Sequence, residues 1–369
     1  MYISPHLSSR DFGGSLFAST NLKLLEQVLG YPVTAVAVAR EPRAGVVAVP
    51  TTQSRLGTAV ANIGGLCATL SKAGVQHLRE LMMRERPTLV WLDTSLLGAL
   101  IPVIRDLLPS AKIICAFQNV EAELVRQRLL ARHLHYLPAW YATWQNEKRS
   151  ARGSDLTLAL HVRDAEQIEL RYGRQVDSIL PIIVTDRMVA AASGAPDNVC
   201  IDPYLLFVGS AFPPNIEALG FMCRHLAPRL NRFRIVAVGS GLDRYATQLM
   251  HPKLVIRGFV EDLSALYRGA TAVIAPIFSG GGMKVKVAEA LMHSKSVIAS
   301  PFAAIGYEAC SPESIRIAHD VHEFETQVSR LTSEHQNTQS RADYQRFFSY
   351  EAGLRQVRDI TATLQLEMS

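Results

Sequence analysis

The chain has 369 residues, more than one ordinary core accommodates and suited to two domains of α/β size. Hydrophobic residues make up 48% of it and charged residues 19%, which excludes a disordered or fibrous protein. The formal net charge of +5 is a mild excess that fits anionic ligands or lipid headgroups. No helix-turn-helix, zinc-finger or RNA-binding signature occurs, so we expect no nucleic-acid partner.

The cysteines and the N-terminus bear on cellular location. The five cysteines are widely spaced, mostly in apolar segments, and none has metal-ligand or redox spacing, so we expect buried reduced thiols. The N-terminus has no basic region followed by an apolar stretch, and no run reaches the roughly 18 apolar residues of a membrane span. We therefore expect a cytoplasmic protein, with peripheral contact to the inner face of the membrane left open.

Short β-branched apolar runs alternate with longer amphipathic stretches, the pattern of parallel sheets covered by helices. The first predicted strand is YIS near the N-terminus, followed by the loop PHLSSRDFGG and a helix from about Ser15. The other strands predicted in the first half are YPVTAVAVA (31–39), TLVWLD (88–93), KIICAF (112–117) and DLTLAL (155–160). Helices are predicted over 15–29, 64–84, 96–108, 119–136 and 138–151.

The pattern lapses over 185–200, where small residues, a glycine and a proline predict a linker. A second series of predicted strands follows: YLLFVGS (204–210), FRIVAVG (233–239), KLVIRG (253–258), TAVIAP (271–276) and SVIASP (296–301). Helices are predicted near 214–230, 283–293 and 351–366. The predicted architecture is two doubly wound, Rossmann-like domains in tandem.

The stretch 276–300, PIFSGGGMKVKVAEALMHSKSVIAS, is the most informative part of the chain. A predicted strand ends at Pro276, three consecutive glycines follow, and a predicted helix begins. Such glycines let the backbone approach a ligand closely, and the free amides of a helix start favour a phosphate. Lys284 and Lys286 lie in the first turn, where a lysine opposes the helix dipole unless an anion compensates it. The sequence therefore predicts a phosphate site.

Lys286 and Glu289 lie three positions apart and share one face of a helix whose other residues are mostly apolar. A charged stripe on a packed helix is costly unless it faces a wet cleft. In such a cleft the carboxylate could accept hydrogen bonds from ribose hydroxyls while the lysine meets phosphates. The alternative is a surface ion pair on a helix that follows a glycine turn.

Four segments of the second half resemble, in order, the retaining GT-B enzymes of glycosyltransferase family 4. They are LLFVGSAFPPNIEAL (205–219), RIVAVGSG (234–241), RGFVEDLSALYRGA (257–270) and GGGMKVKVAEAL (280–291). The resemblance implies an α/β GT-B fold, with two Rossmann-like doubly wound parallel-sheet domains separated by a cleft. It implies an acceptor-side domain over 1–190, a nucleotide-sugar-binding domain over 200–345, and a terminal helix over 346–369 that crosses back to the first domain.

The same resemblance implies where the donor binds. Glu289 corresponds to the residue that binds the ribose, and Lys286 and Lys284 correspond to those that neutralise the diphosphate. The other implied donor-binding residues are Gly13, Gly14, Gly209, Ser210, Phe259, Val260, Gly281, Gly282 and Met283. Gly281 stands where many members of the family have an acidic residue, and Ser210 where many have an arginine.

The first half resembles the same family at separate points. Gly13 and Gly14 resemble the family loop that closes over the donor diphosphate. FQNVEAELVRQR resembles a segment that reads HNvE in relatives, with Gln118 in place of the histidine, so Gln118 is a candidate for a catalytic or sugar-positioning role. Glu147 belongs to a segment that resembles the end of the acceptor domain, and we expect it to be structural. Asp11, in the glycine loop, is a candidate acceptor-side base.

The resemblance implies a hexosyltransferase. The expected reaction moves a hexosyl group from a nucleotide diphosphate sugar to a hydroxyl acceptor, with retention, in polysaccharide or glycoconjugate biosynthesis. The acceptor would be a glycan, a lipid-linked saccharide or another glycoconjugate. One alternative is a sugar-nucleotide epimerase of GT-B fold, which needs no second substrate. Another is a catalytically inactive GT-B partner subunit, for which Gln118 and Gly281 are the signs.

Neither a cofactor nor a metal is expected. The eleven histidines form no HExxH motif and no paired Cys/His cluster, and His133 and His135 are two apart, which does not suit one helix face. The segment VGSGLDR (238–244) lacks the full glycine spacing of a dinucleotide fingerprint. A helix dipole and lysines can stabilise a leaving diphosphate without a divalent cation.

Residues 124–152 interleave arginines and lysines with aromatic side chains. Such a segment could contact a membrane that carries a lipid-linked acceptor. The alternative is a pair of ordinary amphipathic helices whose aromatics pack inward.

Overall fold

The computed structural model describes residues 1–8, 13–130, 134–186, 203–332 and 336–364. The chain divides into two compact units, one of Met1–Pro181 with Gly353–Ser369 and one of Ile182–Ala352. From residue 187 onwards, the predicted linker lies outside the described residues. Among the described residues, no helix is long and apolar enough to cross a membrane.

The first unit contains a parallel sheet of seven strands. The strands are β1 (Tyr2–Ser4), β2 (Ala35–Ala37), β3 (Val47–Ala48), β4 (Leu89–Leu92), β5 (Lys112–Phe117), β6 (Leu156–Ala159) and β7 (Ser178–Ile179). They lie in the order β3-β2-β1-β4-β5-β6-β7. β4 is buried along its whole length and β5 from its second residue on, because helices cover both faces of such a sheet and its central strands are apolar runs rather than alternating ones.

The helices of this unit are α1 (Gly13–Leu29), α2 (Arg55–Ile63), α3 (Lys72–Glu85), α4 (Leu100–Leu107), α5 (Glu121–Leu130), α6 (Leu137–Gly153) and α7 (Val162–Tyr172). The prediction of one helix over 64–84 was wrong. α2 ends at the glycine pair, where Gly65 has φ +78°, and α3 begins after Ser71, whose side chain accepts from the Gly74 amide. Glycine at a positive φ and a serine cap are ordinary helix stop and start signals.

The second unit contains a parallel sheet of six strands in the order β10-β9-β8-β11-β12-β13. The strands are β8 (Tyr204–Val208), β9 (Arg234–Val238), β10 (Leu254–Arg257), β11 (Ala272–Ala275), β12 (Val297–Ala299) and β13 (Ile315–Ile317). The helices that begin in this unit are α8 (Pro213–Phe221), α9 (Ser264–Gly269), α10 (Val285–Met292), α11 (Val321–Ser329), α12 (Thr338–Asp343) and α13 (Tyr350–Thr363). The predicted helix near 214–230 continues after α8 as a π-helical turn over Met222–Leu226 and a 3₁₀ turn over Ala227–Arg229.

The last helix joins the two units in sequence. α13 begins at Tyr350, close to the predicted start, and from Gly353 onwards it belongs to the first unit. This confirms the prediction that the terminal helix returns to the first domain. The predicted fold class, two doubly wound parallel sheets, is confirmed as well.

Each sheet has one point where the strand order reverses direction. In the first sheet this point lies between β1 and β4, and in the second it lies between β8 and β11. Doubly wound sheets bind ligands outside the carboxyl ends of the strands that flank this point. The turns after these four strands are therefore where each unit is expected to hold a ligand.

Candidate functional site

The donor-site residues predicted in the second half gather at the carboxyl edge of the second sheet. Gly209 and Ser210 follow β8, and Phe259 and Val260 follow β10 shortly after its end. Residues 281–284 lie between β11 and α10, and α10 carries Lys286 and Glu289. Because β8 and β11 are hydrogen-bonded neighbours, the turns after them meet at the reversal point of the sheet.

Glycines at this edge allow close backbone approaches. A Cβ on Gly239 would lie 2.0 Å from the carbonyl oxygen of Gly209, and one on Gly209 would lie 2.8 Å from the Asn215 side chain. Gly280 and Gly282 have φ values of +108° and +61°, which favour glycine. The turns after β8 and β9 are therefore packed backbone against backbone.

Lys284 is the residue that immediately precedes α10, and it lies in the glycine turn. Its Nζ donates to the carbonyl oxygens of Gly281 at 3.0 Å and Gly282 at 2.6 Å, and it lies 4.7 Å from the ring centre of Phe302. The Tyr307 hydroxyl donates to the Lys284 carbonyl at 2.8 Å. These contacts place a positive charge at the start of α10, where the free helix amides also lie.

Lys286 is half-buried and lacks a carboxylate partner within the described part of the chain. Its Nζ donates to Oδ1 of Asn215 at 2.9 Å and lies 4.2 Å from the ring centre of Phe207. Burial, and then the nearby charge of Lys284, lower the pKa of Lys286 to about 7, while Glu289 opposes this shift. An anion bound beside Lys286 would restore its charged form.

Glu289 lies one turn further along α10, and its carboxylate accepts from the Tyr267 hydroxyl at 3.0 Å. Tyr267 is buried and stacks on His293 at 4.7 Å between ring centres. Burial and the charge of Glu289 hold the pKa of Tyr267 well above its ordinary value, so this hydroxyl remains a donor. The tyrosine fixes the direction of a carboxylate that α10 leaves half-exposed.

Two of these partners were missed in the sequence. Asn215 belongs to the Pro-Asn start of α8, and Tyr267 belongs to the segment RGFVEDLSALYRGA, so both lie inside segments that carried the resemblance.

Met283 is buried, and a Cβ on Gly306 would lie 2.6 Å from its side chain, so it packs beneath the turn. Phe259 is 75% exposed.

The candidates in the first half are placed differently. Gly13 and Gly14 form the first turn of α1 rather than the end of a loop before it, so the predicted start near Ser15 was two residues late. Asp11 lies outside the described residues. Gln118 directly follows β5, where its Nε2 donates to the Asp93 side chain at 3.1 Å and to the Asp93 carbonyl oxygen at 3.0 Å.

Glu147 is fully buried and accepts hydrogen bonds from groups of its own unit. Its carboxylate accepts from the amides of Glu121 and Ala122, at 2.8 and 3.0 Å, and from the hydroxyls of Tyr172 and Ser95, at 2.6 and 3.2 Å. It therefore holds the start of α5 against α6. Burial raises its pKa to about 7, and the hydrogen bonds from Tyr172 and the amides limit that rise.

Within the described ranges, no group of three or more His, Cys, Asp and Glu side chains is arranged to hold a metal ion. The expectation of a metal-independent site stays a prediction.

Comparison with known proteins gives a family match within the second unit. The sequence model of the family described as Glycosyl transferases group 1 matches residues 202–334. None of the curated protein sequences matches the chain.

Solved structures match the whole chain at low sequence identity. Sucrose-phosphate synthase from Thermosynechococcus elongatus matches 99% of this chain and 98% of its own, with 14% identity and a TM-score of 0.73. A glycosyltransferase from Rickettsia africae matches 99% and 98%, with 12% identity and a TM-score of 0.70. HepE of Anabaena, solved in complex with UDP-glucose, matches 98% of both chains, with 11% identity and a TM-score of 0.67.

These matches extend over both units and confirm the GT-B fold that the sequence motifs implied. The family match spans the glycine turn, both lysines and Glu289. Residues 202–334 thus match the group 1 glycosyl transferases, and the chain as a whole has the GT-B fold.

Proposed function

We propose that this protein is a hexosyltransferase that moves a hexosyl group from a nucleotide diphosphate sugar to a hydroxyl acceptor, with retention of anomeric configuration. The observation that carries the proposal is the half-buried Lys286, which has a neutral amide as its hydrogen-bond acceptor beside the glycine turn. A diphosphate would supply a negative charge directly beside Lys286, whose hydrogen-bond acceptor in this structure is uncharged.

The donor is proposed to lie along α10 from its start to its second turn. Lys284, Lys286 and the amides of Gly281 and Gly282 would hold the diphosphate, and the Glu289 carboxylate would accept from two ribose hydroxyls. Phe259 and Val260 would border the base, largely through backbone groups. The leaving diphosphate would then be stabilised by two lysines and a helix start without a cofactor.

A calorimetric panel of UDP, GDP, ADP and TDP tests this proposal and identifies the base. UDP is the first probe, because the similarly folded HepE was solved with UDP-glucose. Incubation with the matching sugar nucleotides, with and without alkyl glycoside acceptors, then separates the alternatives. Slow hydrolysis of the donor alone and faster transfer to an acceptor support the proposal, and NMR of the product reports its anomeric configuration. Conversion between sugar nucleotides without an acceptor would indicate an epimerase. The absence of turnover with every donor would indicate an inactive partner subunit.

A peripheral membrane contact through 124–152 is part of the proposal, and we extend it to α2. This helix has no buried residue, and it exposes Leu56 (76%), Val60 (62%) and Ile63 (74%) at positions that share one face. α2 packs against α6, which exposes Leu137 and Tyr141. Exposed apolar side chains grouped on one surface indicate an interaction site.

The charge of the exposed side chains around this surface favours an anionic bilayer as its partner. The charged side chains of α2 and α6 that are not buried are all basic, since Glu147 is fully buried. They are Arg55, Lys148, Arg149 and Arg152. Apolar side chains rimmed by cations suit the interface of a membrane rich in anionic lipid, where a lipid-linked acceptor would be found.

Flotation with vesicles of phosphatidylglycerol or phosphatidylcholine tests this contact. We expect binding to phosphatidylglycerol alone, and its loss in the double variant Leu56→Ser with Ile63→Ser. Leu170→Ser is the matched control, because Leu170 is as exposed but lies on α7. Equal flotation of the double variant and the control would remove the membrane contact from the proposal.

A further inference from the structure

The carboxyl edge of the first sheet contains a buried carboxylate that no sequence motif indicated. Asp93 directly follows β4, and its side chain is fully buried. Its Oδ1 accepts from the Tyr2 hydroxyl at 2.5 Å, and its Oδ2 accepts from the Ser4 hydroxyl at 2.7 Å and from Nε2 of Gln118 at 3.1 Å. The partners come from β1 and from the end of β5, on either side of β4. Asp93 therefore ties together the three strand ends at the reversal point of this sheet.

These bonds leave Gln118 one orientation of its side-chain amide. Nε2 donates to two acceptors, both on Asp93. The reversed amide would set Oε1 against a carbonyl oxygen and a carboxylate, with no donor between them. Gln118 is 9% exposed, and among the described residues no group donates to its Oε1. The oxygen is thus the acceptor that Gln118 can offer to a ligand.

The surroundings favour a neutral ligand with hydroxyl groups. The described residues that follow β1, β4 and β5 are PHLS, DTSL and QNVE, which contain neither lysine nor arginine. Among these described residues, a phosphate would meet the Asp93 carboxylate without a compensating cation. A sugar hydroxyl, in contrast, can donate to a fixed amide oxygen.

We propose that Asp93 positions the amide of Gln118 so that its oxygen accepts a hydrogen bond from a hydroxyl of the acceptor substrate. The inference rests on the proposed transfer reaction. Asp93 is buried and touches no substrate, so it acts through Gln118. Ser4 and Tyr2 fix the carboxylate in turn, and the His6 amide, which donates to the Ser4 oxygen at 2.9 Å, directs the Ser4 hydroxyl toward Asp93.

A double-mutant cycle of Asp93→Asn and Gln118→Ala tests this role. UDP-glucose is the donor, and octyl glucoside and water are the two acceptors. An asparagine turns an N–H toward one of three donors, so the side-chain bond that orients the amide of Gln118 is weakened, while its bond to the backbone carbonyl of residue 93 remains. We expect the KM for octyl glucoside to rise by up to about tenfold in Asp93→Asn, as for one hydrogen bond between uncharged groups, and no further rise when Gln118 is already alanine. UDP affinity should stay as in the wild type, because neither residue belongs to the proposed donor site, and hydrolysis of UDP-glucose gives the rate without a sugar acceptor.

Glu147→Gln is the matched control, since this buried carboxyl of the same unit has a raised pKa and no contact with Gln118. It should lower the melting temperature without a selective change in the KM for octyl glucoside. Asp93→Leu, which has no acceptor, is the second variant and should exceed Asp93→Asn in effect. If Asp93→Asn raised the KM for octyl glucoside equally in the wild type and in Gln118→Ala, the inference would be overturned and the transferase proposal would stand. A wild type that turns over none of the sugar nucleotides would overturn the transferase proposal, and the inference with it.

Discussion

The two sheets share one strand order around their central pairs, yet the edges where those strands end have opposite chemistry. The second sheet presents a glycine turn and two lysines, and the first presents a buried carboxyl, hydroxyls and an amide. The fold supplies a ligand position in both units. The side chains that follow the strands decide whether that position suits a diphosphate or a sugar.

Burial brings a lysine and an aspartate to nearly the same pKa from opposite directions. It lowers that of Lys286 to about 7 and raises that of Asp93 to about 7, because burial disfavours the charged form of either group. The difference lies in the partners. Asp93 receives hydrogen bonds from three side chains of its own unit, whereas Lys286 donates to one neutral amide and feels the charge of Lys284. The first group is satisfied within its unit, and the second fits an external anion.

Lys286→Met gives the largest expected effect and tests this difference directly. Loss of a hydrogen-bonded charge should weaken UDP binding by about 10- to 100-fold in calorimetry. The ligand-free protein should melt at a higher temperature near neutral pH. The sign follows from the lowered pKa. The folded state binds fewer protons than the unfolded state between the folded pKa of about 7 and the ordinary value of 10.5, so stability is lowest below this window.

Lys295→Met is the control for this variant. Lys295 is buried and its pKa is lowered to about 8, but it precedes β12 and donates to the carbonyls of Arg268 and Ala270. Its loss should reduce stability, because two backbone carbonyl oxygens lose their donor, and should leave UDP affinity unchanged. If both variants weakened UDP binding equally, Lys286 would have no special relation to the diphosphate.

Glu289→Ala tests the ribose assignment and should weaken UDP binding by about 1–3 kcal/mol, since two hydrogen bonds to a charged group are lost. Tyr267→Phe should have a smaller effect, because it frees the direction of the carboxylate without removing it. Comparison of UDP with 2′-deoxy-UDP gives the sharper measurement. The wild type should prefer UDP, and Glu289→Ala should show little preference. Persistent discrimination in Glu289→Ala would place the ribose elsewhere.

Donor binding should be accompanied by proton uptake at Lys286. Above a pKa of about 7 this lysine is mostly neutral, and the negative charge of a bound diphosphate raises the pKa again. Uptake should therefore grow above neutral pH and vanish well below it, where Lys286 is already protonated. Calorimetry of UDP-glucose in buffers with different ionisation enthalpies measures it, since this diphosphate has no group that titrates near neutrality. Uptake that persists in Lys286→Met would assign the proton to another group.

The sequence predicted the carboxyl edge of the second sheet better than that of the first sheet, for a physical reason. The glycine turn, both lysines and Glu289 lie within ten consecutive residues, 280–289, so their chemistry is readable in one segment. Asp93 is only the last letter of the predicted strand TLVWLD, and its partners Ser4 and Gln118 lie 89 and 25 residues away. Strand KIICAF was predicted with its observed bounds because its apolar run is continuous. The predicted strand 31–39 is longer than β2, whose bounds depend on which of its residues pair with the neighbouring strands.

Phe259→Ala gives the smallest expected effect and tests how the second unit contacts the nucleobase. The side chain is 75% exposed, and the nucleobase is proposed to contact backbone groups of residues 259–260. Removing the ring should therefore change UDP affinity by less than about 1 kcal/mol, below the roughly 1–3 kcal/mol of a base stacked on an aromatic ring. Calorimetry with UDP measures this, with melting temperature as the check on folding. A larger loss would mean that Phe259 stacks on the base, and the cationic edge of the second sheet would then recognise its donor through a side chain at the base as well as at the phosphates.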